Sequence, residues 1–473
     1  MNQFSMTING SRVSTSSGYD VLNPSTGEVV GRAPLCSPQQ LGAAVEAADR
    51  AYRTWRGDES VRRETLRAIA GIIREHAAEL ASLLSLEQGK PVTSFELGDA
   101  TTEIEICAMY FDYYADLDLS PEIVPSDDGS RIAIHRRPLG VAALITPWNF
   151  PAYLSSWKVA PALLAGNTVV LKPSEFTPLT VLRMGQLFSQ ALPPGVFNVV
   201  AGDGSLGQLM TTHPLVRKIS FTGSTVTGKK VAAAAAQDLK RVTLELGGND
   251  PAIVLDDVDV DQIAPQIFNA SFGNAGQVCT NIKRVYVHRS KYDEVVEALA
   301  ELAKSVRVGD GHDPRTQLGP INNRPQFERV RDLVNDAKSS GARVAAGGSA
   351  IEGAGFFFQP TILANVSDGT RIVDEEQFGP ALPIVSFDTE EEAVARANNS
   401  HYGLTASVWS SDSTRAASLL PQLESGTVWT NAHNRFPLDQ PFAGQKWSGI
   451  GAENGRDGLL GYTQIQVTHE VHG

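Results

Sequence analysis

Short apolar strands alternate with helical stretches through the middle of the 473-residue chain, and this alternation constrains the fold more than any other feature. Strands that alternate with helices form a parallel sheet with both faces covered. Such doubly wound sheets bind nucleotides at the carboxyl ends of their strands. We therefore predict an α/β protein with a nucleotide-binding sheet, whose strands lie at 141–145, 168–171, 196–200 and 218–221.

A second series of strands and helices follows the first. After a strand at 242–246, we predict the strands of this series at 251–255, 285–288, 344–345, 384–387 and 428–430, and a helix at 292–306. Because Gly247-Gly248 follow the strand at 242–246, we predict a domain boundary there. A polar segment at 120–137, with Asp127-Asp128-Gly129 at its centre, indicates a hairpin, and residues 462–467 alternate as in a strand. These strands have no obvious local partner, which favours sheet formation with another subunit.

The N-terminal part of the chain carries turn and cap signals. Asn9-Gly10 predicts the turn of a hairpin over 8–13. Ser37 followed by Pro38 predicts the start of a helix, because Ser caps helices and Pro suits their first turn. A longer amphipathic helix is predicted over 61–87, because its apolar residues return with a helical period.

Charge balance and cysteine usage exclude several classes of protein. With 40 Lys+Arg against 53 Asp+Glu, the net charge is −13, which argues against a nucleic-acid binder because such proteins need a basic surface. The three cysteines are too few and too scattered for a disulfide framework or a zinc site, so we expect no metal and a reducing compartment. No apolar run is long enough to span a membrane, and no secretory signal begins the sequence, so we expect a cytoplasmic protein.

Two glycine-rich segments invite a nucleotide-binding interpretation, and each has an alternative. Residues 202–207 match G-x-G-x-x-G after a strand, but no acid follows at the expected distance, so a plain strand-to-helix loop fits equally well. Residues 223–230 nearly match a P-loop, although Lys230 stands where Ser or Thr would hold magnesium. Ser224 would still open a helix whose N-terminus favours phosphate. A P-loop NTPase therefore remains a competing class.

Two polar segments follow strands of the predicted nucleotide sheet. In Lys172-Pro173-Ser174-Glu175, the acid can accept both hydroxyls of a ribose and would repel a 2′-phosphate, which favours NAD over NADP. A capped helix start explains the same residues. In Pro147-Trp148-Asn149-Phe150-Pro151, two prolines hold a carboxamide whose N–H can stabilise an oxyanion. A turn with a packed Trp is the alternative.

Cys279 and Glu245 stand out from their neighbours. Cys279 lies among glycines and polar residues, whereas Cys36 and Cys107 fit the usual role of a small core residue. Cys279 is thus a candidate nucleophile, although no His lies near it in sequence to act as its base. Glu245 lies between leucines on a strand, where an acid is unexpected without a function, and burial would raise its pKa toward the range of a general base.

Six motifs in order resemble those of one enzyme family, the NAD(P)-dependent aldehyde dehydrogenase superfamily, in its hydrolytic, non-CoA-acylating branch. The resemblance extends over nearly the whole chain. The motifs are Pro147-Trp148-Asn149-Phe150-Pro151, Lys172-Pro173-Ser174-Glu175, Phe221-Thr222-Gly223-Ser224-Thr225, Glu245-Leu246-Gly247-Gly248, Gly276-Gln277-Val278-Cys279 and Glu375-Glu376-Gln377-Phe378-Gly379-Pro380.

The resemblance implies a fold with three parts. Residues 1–119 and 138–246 would form a Rossmann-type NAD-binding domain, and 247–445 an α/β catalytic domain. Residues 120–137 and 458–473 would form a small β arm that joins subunits into a homodimer or homotetramer.

Catalytic roles are implied as well. Cys279 corresponds to the nucleophile, the Asn149 amide to the oxyanion donor, and Glu245 to the base that activates water. The CoA-acylating branch lacks this Glu, so the resemblance implies hydrolysis of the thioester. A catalytically silent member of the family is the competing interpretation, and the presence of all three residues argues against it.

Lys158 corresponds to a lysine of a proton relay. The position of the last carboxylate of that relay falls at Arg456, with Glu453 nearby, and either residue is open as its member. The resemblance also implies the cofactor contacts, which are Trp148, Lys172, Glu175, Gly223, Ser224, Glu376 and Phe378. NADP stays possible as cofactor, because the acid at the ribose can swing aside in some members.

The implied walls of the aldehyde tunnel are Phe150, Trp157, Val278, Thr280, Arg435, Phe436 and Phe442. The aromatic side chains among them favour an apolar or aromatic aldehyde. Arg435 raises an alternative, a semialdehyde whose carboxylate it would bind, and a solvated loop arginine is the simpler explanation of the same residue.

Overall fold

The computed structural model of the chain describes residues 3–94, 98–127 and 130–471. Asp128 and Gly129 of the predicted turn lie outside the described residues, as do residues 1–2 and 95–97 of the predicted NAD-binding domain and residues 472–473 of the predicted arm.

The elements of the first half, in chain order, are β1 (Met6–Ile8), β2 (Ser11–Val13), β3 (Gly18–Leu22), β4 (Val29–Pro34), α1 (Pro38–Trp55), α2 (Glu59–Glu75), α3 (Ala77–Gln88), α4 (Ala100–Asp116), β5 (Glu122–Val124), β6 (Arg131–Pro138), β7 (Val141–Ile145), α5 (Pro151–Leu164), β8 (Thr168–Lys172), α6 (Leu179–Phe188), β9 (Phe197–Val199), α7 (Gly204–Thr212), β10 (Val216–Thr222), α8 (Thr225–Ala236) and β11 (Arg241–Glu245).

The elements of the second half are β12 (Asp250–Val254), α9 (Val260–Phe272), β13 (Ile282–His288), α10 (Tyr292–Ser305), α11 (Arg324–Ser339), β14 (Arg343–Ala346), β15 (Thr361–Ala364), α12 (Arg371–Asp374), β16 (Ala381–Phe387), α13 (Glu390–Asn398), β17 (Tyr402–Gly403), β18 (Thr405–Trp409), α14 (Ser413–Leu419), β19 (Thr427–Thr430), β20 (Gln445–Lys446), β21 (Gly449–Ile450), α15 (Gly455–Leu460) and β22 (Thr463–Glu470).

The predicted parallel sheet is present. Eight strands lie in the order β2-β1-β9-β8-β7-β10-β11-β21. The five central strands are parallel, and the helices α5, α6 and α7 separate the four predicted strands β7 to β10 in sequence, as expected. The predicted hairpin over 8–13 is confirmed as β1–β2 at the antiparallel edge, with Asn9 and Gly10 both at positive φ in its turn. The α/β fold class is therefore confirmed.

The second sheet has seven strands in the order β14-β15-β16-β13-β12-β18-β19, all parallel except β14. β15 and β18 were not predicted. Alternate residues of β12 face opposite cores: Ala252 packs in one buried cluster and Ile253 in another, as the two-residue period of a strand requires. The chain passes between the sheets around Gly247-Gly248, and the domain assignment built on this boundary stays a prediction.

The C-terminal strand finds its partner within the chain, contrary to the expectation that another subunit would supply it. β22 pairs antiparallel with β6 along its whole length, from Thr463 opposite Pro138 to Glu470 opposite Arg131, and β5 pairs with the other edge of β6. Partners far apart in sequence cannot be found from local pattern alone. The three strands combine the two predicted arm segments into one sheet, and its role between subunits stays a prediction.

The helix predicted over 61–87 is two helices. It breaks at His76, whose φ of −105° and ψ of 15° lie outside the helical values, so α2 ends at Glu75 and α3 begins at Ala77. The apolar period continues across the break, which is why the pattern indicated a single helix. The predicted start at Ser37 is confirmed, and its side chain and that of Gln40 form a capping box.

Candidate active site

Cys279 lies on a sharply turned loop between α9 and β13. The loop begins with three consecutive residues at positive φ, Asn274, Ala275 and Gly276. A Cβ at Gly276 would lie 2.1 Å from the carbonyl oxygen of Gly379, so only glycine fits there. This turn brings Cys279, which is half-buried, to the junction of two cavities.

Hydrogen bonds fix the carbonyl groups on both sides of Cys279. The ammonium of Lys283 donates to the Val278 carbonyl, and His433 Nε2 lies 2.7 Å from the Thr280 carbonyl oxygen. Because a carbonyl only accepts, Nε2 must carry the proton. Burial lowers the pKa of His433 to about 3, so this histidine is neutral and structural.

Burial raises the pKa of the Cys279 thiol to about 12, and the nearby positive charge of Lys283 opposes that rise only in part. The thiol is therefore protonated at neutral pH in this arrangement. Its reaction as a nucleophile requires a group that takes the proton.

The first cavity, which we call the substrate cavity, has a volume of about 440 Å³, and the second, the cofactor cavity, about 400 Å³. Asn149, Thr222 and Cys279 line both. A ligand atom bound at this junction would therefore be accessible from both cavities.

Asn149 follows β7 and is buried at the junction. Its side-chain Nδ2 donates to the Gln277 carbonyl at 2.9 Å, which orients the amide toward the cysteine loop. The amide has a second N–H, for which the described residues provide no recorded acceptor, so it can donate to an oxyanion.

Glu245 ends β11 and faces the substrate cavity. Its carboxylate is buried, and neither oxygen has a hydrogen-bond partner among the described residues. Burial raises the pKa of Glu245 well above its ordinary value, the negative charge of Glu453 raises it further, and Lys158 opposes both. A buried carboxylate without partners is costly, and its orientation into a cavity is typical of a general base.

Lys158 on α5 forms a buried ion pair with Glu453, with 2.6 Å between Nζ and Oε1. Ser220 Oγ donates to the same oxygen at 2.6 Å. Arg456, the other candidate for this position, is exposed and pairs with Glu122, so it is not beside Lys158. Of the two residues that the sequence left open, Glu453 is therefore the one that contacts Lys158, and a relay role for it stays a prediction.

The cofactor cavity contains five of the predicted cofactor residues, Trp148, Gly223, Ser224, Glu376 and Phe378. Ser224 caps α8, so the helix N-terminus faces this cavity. Glu376 Oε1 accepts the Gly248 N–H at 3.1 Å, and a Cβ at Gly247 would lie 2.5 Å from Oε2. The glycine pair thus leaves room for this carboxylate, and the Trp148 and Phe378 rings pack edge to face beside it.

Lys172 and Glu175 line neither cavity. They follow β8, with 3.9 Å between Lys172 Nζ and Glu175 Oε2, and Lys172 is buried while Glu175 is partly exposed. The glycine segment 202–207 is close by: α7 begins at Gly204 under a cap from Asp203, and a Cβ at Gly207 would lie 3.9 Å from the Lys172 side chain. It turns a strand into a helix, as the alternative interpretation predicted.

Comparison with known proteins agrees with this geometry. The model of the aldehyde dehydrogenase family matches residues 12–468. The chain belongs to this family. It is similar to the betaine aldehyde dehydrogenase of Cereibacter sphaeroides, at 40% identity over 459 residues that cover 96% of this chain and 94% of the relative.

Solved structures of aldehyde dehydrogenases are equally similar. The lactaldehyde dehydrogenase of Escherichia coli matches with a TM-score of 0.95 and 40% identity, over 99% of each chain. The NAD+ complex of an aldehyde dehydrogenase from Bacillus cereus matches with a TM-score of 0.95 and 38% identity, over 99% of this chain and 96% of that one. The protein is therefore an aldehyde dehydrogenase, an NAD(P)-dependent oxidoreductase that acts on aldehydes.

In this aldehyde dehydrogenase, all the predicted tunnel residues line the substrate cavity: Phe150, Trp157, Val278, Thr280, Arg435, Phe436 and Phe442. The Phe442 ring packs edge to face against Trp157 at 5.5 Å and against Phe436 at 5.3 Å. Arg435 is exposed, and no ion pair of its side chain is recorded within the described ranges. That these seven residues bind the substrate stays a prediction.

Sequence reasoning missed Tyr153 and Leu154, which also line the aldehyde dehydrogenase's substrate cavity. Both follow Pro151 on α5, so the helical period from Phe150 to Trp157 could have found them. It also missed the buried polar residues around the junction, such as Lys283 and Lys90, because nothing in their local sequence indicates burial.

Within the described ranges, no helix is long and apolar enough to cross a membrane. The same residues contain no group of three or more His, Cys, Asp or Glu side chains that could hold a metal ion.

Proposed function

We propose that this aldehyde dehydrogenase oxidises an apolar or aromatic aldehyde to its carboxylic acid, through a thiohemiacetal and a thioester on Cys279, with NAD as the preferred cofactor. The observation that carries the proposal is the junction of the two cavities at Cys279, with the unpartnered carboxylate of Glu245 in the wall of one of them.

In the first step, the Cys279 sulfur attacks the aldehyde carbon, and the thiol proton passes to solvent water in the substrate cavity. The free N–H of Asn149 donates to the oxygen that becomes negative. Because the amide is already held by Gln277, little reorganisation accompanies this charge. A cofactor held by Ser224 and Glu376 would supply the acceptor for the hydride of the reacting carbon, and the bond to Cys279 would then be a thioester.

Glu245 then removes a proton from a water molecule, whose oxygen attacks the thioester carbon. The C–S bond breaks, the acid is released, and the thiol of Cys279 is restored. The raised pKa of Glu245 suits this role, because burial makes its carboxylate a stronger base toward water. Since Lys158 and Glu453 line the same cavity, we assign them the onward transfer of that proton.

The residues present fit a dinucleotide. The N-terminus of α8 at Ser224 suits a pyrophosphate, and the Glu376 carboxylate suits a ribose diol. Glu175, beside Lys172, would repel a 2′-phosphate, which supports NAD over NADP.

The substrate class follows from the cavity walls. Rings of Phe150, Tyr153, Trp157, Phe436 and Phe442 surround the path to Cys279, and such walls favour apolar or aromatic groups. A second candidate is a carboxylated aldehyde, which the exposed Arg435 in the cavity wall supports.

A substrate panel tests the proposed function. Aliphatic, aromatic, amino and carboxylated aldehydes are assayed with NAD and with NADP by absorbance of the reduced cofactor. We expect the highest kcat/KM for an aromatic or apolar aldehyde with NAD. A marked preference for a carboxylated aldehyde would support the second candidate, and absence of turnover with every aldehyde would overturn the proposed activity.

Assembly and location are part of the proposal. Ile465 and Val467 on β22 and Ile123 on β5 are exposed apolar residues of the arm, which supports a homodimer or homotetramer built through this sheet. A free thiol at Cys279 supports a reducing, cytoplasmic location.

A further inference from the structure

A buried ion pair that takes no part in the proposed reaction contacts the segment Asn149-Phe150-Pro151 and the start of α5. Lys90 Nζ lies 2.5 Å from Glu103 Oε2, and both side chains are fully buried. Burying two charges is costly unless further hydrogen bonds satisfy them. The additional partners of this pair all belong to the segment that carries Asn149 and to the helix that follows it.

Lys90 holds the backbone of the oxyanion residue. Its ammonium donates to the Asn149 carbonyl oxygen at 3.0 Å and lies 3.6 Å from the centre of the Phe150 ring, as in a cation–π contact. Asn274 Nδ2 donates to the same carbonyl at 3.0 Å, so this group also touches the cysteine loop.

Glu103 holds the start of α5. The helix has no side-chain cap at Phe150, and Glu103 Oε1 instead accepts the N–H groups of Ala152 at 3.0 Å and Tyr153 at 3.1 Å. A carboxylate at a helix N-terminus satisfies free N–H groups and complements the helix dipole. Thus Oε1 of Glu103 caps α5, while Oε2 binds the ammonium of Lys90.

The backbone of Lys90 is itself fixed. Gly89 ends α3 at a φ of +98°, and a Cβ there would lie 2.7 Å from Pro24 and 2.8 Å from Pro320. The Lys90 N–H donates to Gln88 Oε1 at 2.9 Å, and Ser85 Oγ donates to the Lys90 carbonyl at 2.7 Å. These contacts fix the backbone from which the long side chain of Lys90 extends.

We propose that Lys90 and Glu103 are positioning residues that fix the amide of Asn149 for oxyanion stabilisation. They touch neither cavity and act only through Asn149 and α5. The inference rests on the proposed role of Asn149. We call the Lys90–Glu103 ion pair the clamp. Because small misplacements of a reacting group reduce rates strongly, loss of the clamp should slow formation of the thioester about 10- to 100-fold.

The test is a double-mutant cycle on the rate of the first NADH burst with a good aldehyde substrate. The variant Lys90→Met/Glu103→Gln removes both charges and leaves the net charge unchanged, while the remaining Gln oxygen can still cap α5. We expect slower thioester formation, and we expect Asn149→Ala to cost much less in this background than in the wild-type enzyme, since both changes impair one function.

A burst of unchanged rate, or full additivity with Asn149→Ala, would overturn the proposal. If the substitutions only disturbed the fold around the site, the rate at which iodoacetamide alkylates Cys279 would change as well. We expect that rate to stay within about twofold of the wild-type value. If the double variant does not fold, Lys90→Met alone decides, because Glu103 keeps its two N–H partners at the start of α5 while the contacts of the ammonium with Asn149 and Phe150 are lost; its burst must slow and must be non-additive with Asn149→Ala.

Lys240→Met is the matched control. Lys240 is also buried and also donates to backbone carbonyls, those of His213 and Val216, but it lies at the opposite end of the first sheet. We expect its burst rate to equal that of the wild-type enzyme. Absence of any wild-type burst would contradict the proposed function, whereas an unaffected burst in the clamp variants would contradict only the clamp.

Discussion

Lys158 and Glu453 are separated by 295 residues, and their side chains meet at 2.6 Å inside the protein. Ser220 Oγ accepts from Lys158 at 2.9 Å and donates to Glu453, which closes a small polar network beneath Glu245. The second oxygen of Glu453 has no partner among the described residues. The negative charge of Glu453 raises the pKa of Glu245, and the positive charge of Lys158 opposes that rise, so this network influences the protonation of Glu245.

Glu453→Gln should shift the pH dependence of hydrolysis. Because the carboxylate of Glu453 raises the pKa of Glu245, its removal lowers that pKa. Glu245 then ionises at lower pH, and the acid limb of kcat moves to lower pH. Steady-state rates from pH 5 to 9 would measure this. Arg456→Gln, on the surface beside Glu122, is the control and should leave the profile in place; a Glu453→Gln limb that does not move contradicts the coupling.

Cys279→Ala should abolish acid formation while leaving cofactor binding intact. The sulfur forms the bond to substrate, whereas the cofactor cavity is lined mainly by other residues. Acid production is measured by chromatography, and cofactor binding by the thermal shift that NAD produces. Cys36→Ala, which removes a buried thiol far along the chain, should keep full turnover. Normal turnover by Cys279→Ala would exclude it as nucleophile.

Glu245→Gln should release about one NADH per active site and then stall. The first step can still reach the thioester, but no base activates water, and removal of a general base costs about 100- to 10,000-fold. Stopped-flow absorbance follows the burst, and mass spectrometry of the quenched protein detects an acyl group on Cys279. A steady rate equal to that of the wild-type enzyme would exclude Glu245 as the base.

Glu175→Gln should improve the use of NADP relative to NAD. The substitution removes a charge that would repel a 2′-phosphate and leaves Lys172 beside it. The ratio of kcat/KM with NADP to that with NAD should rise about tenfold, which corresponds to about 1.4 kcal/mol. Glu28→Gln, an exposed acid elsewhere, serves as the control. An unchanged ratio would mean that Glu175 does not contact the ribose.

Phe442→Ala and Arg435→Ala distinguish the two substrate classes. Phe442 is buried against Trp157 and Phe436, so its loss should lower kcat/KM for aromatic aldehydes by about tenfold or more. Arg435→Ala should change that value little, because its side chain is exposed. A strong carboxylated-substrate preference that disappears in Arg435→Ala would reverse the assignment.

Much of the fold could be predicted because its signals are local. The strand at Val141–Ile145, the turn at Asn9-Gly10 and the cap at Ser37 each depend on a few neighbouring residues. The break at His76 was missed, since the apolar period continues on both sides of it. The pairing of β22 with β6 could not be found from the local pattern, because its register depends on residues more than 300 positions apart; only the family resemblance implied that the two segments form one arm.

By itself, the sequence determined the alternation of strands and helices and the candidates for the reactive groups, because both depend on short runs of residues. Cys279, Glu245 and Asn149 could be named in this way. Only the tertiary structure decided that Glu453 rather than Arg456 meets Lys158, and that Lys90 and Glu103 lie beneath Asn149. Such contacts between buried charges form only when distant segments exclude water together, and no local pattern contains that information.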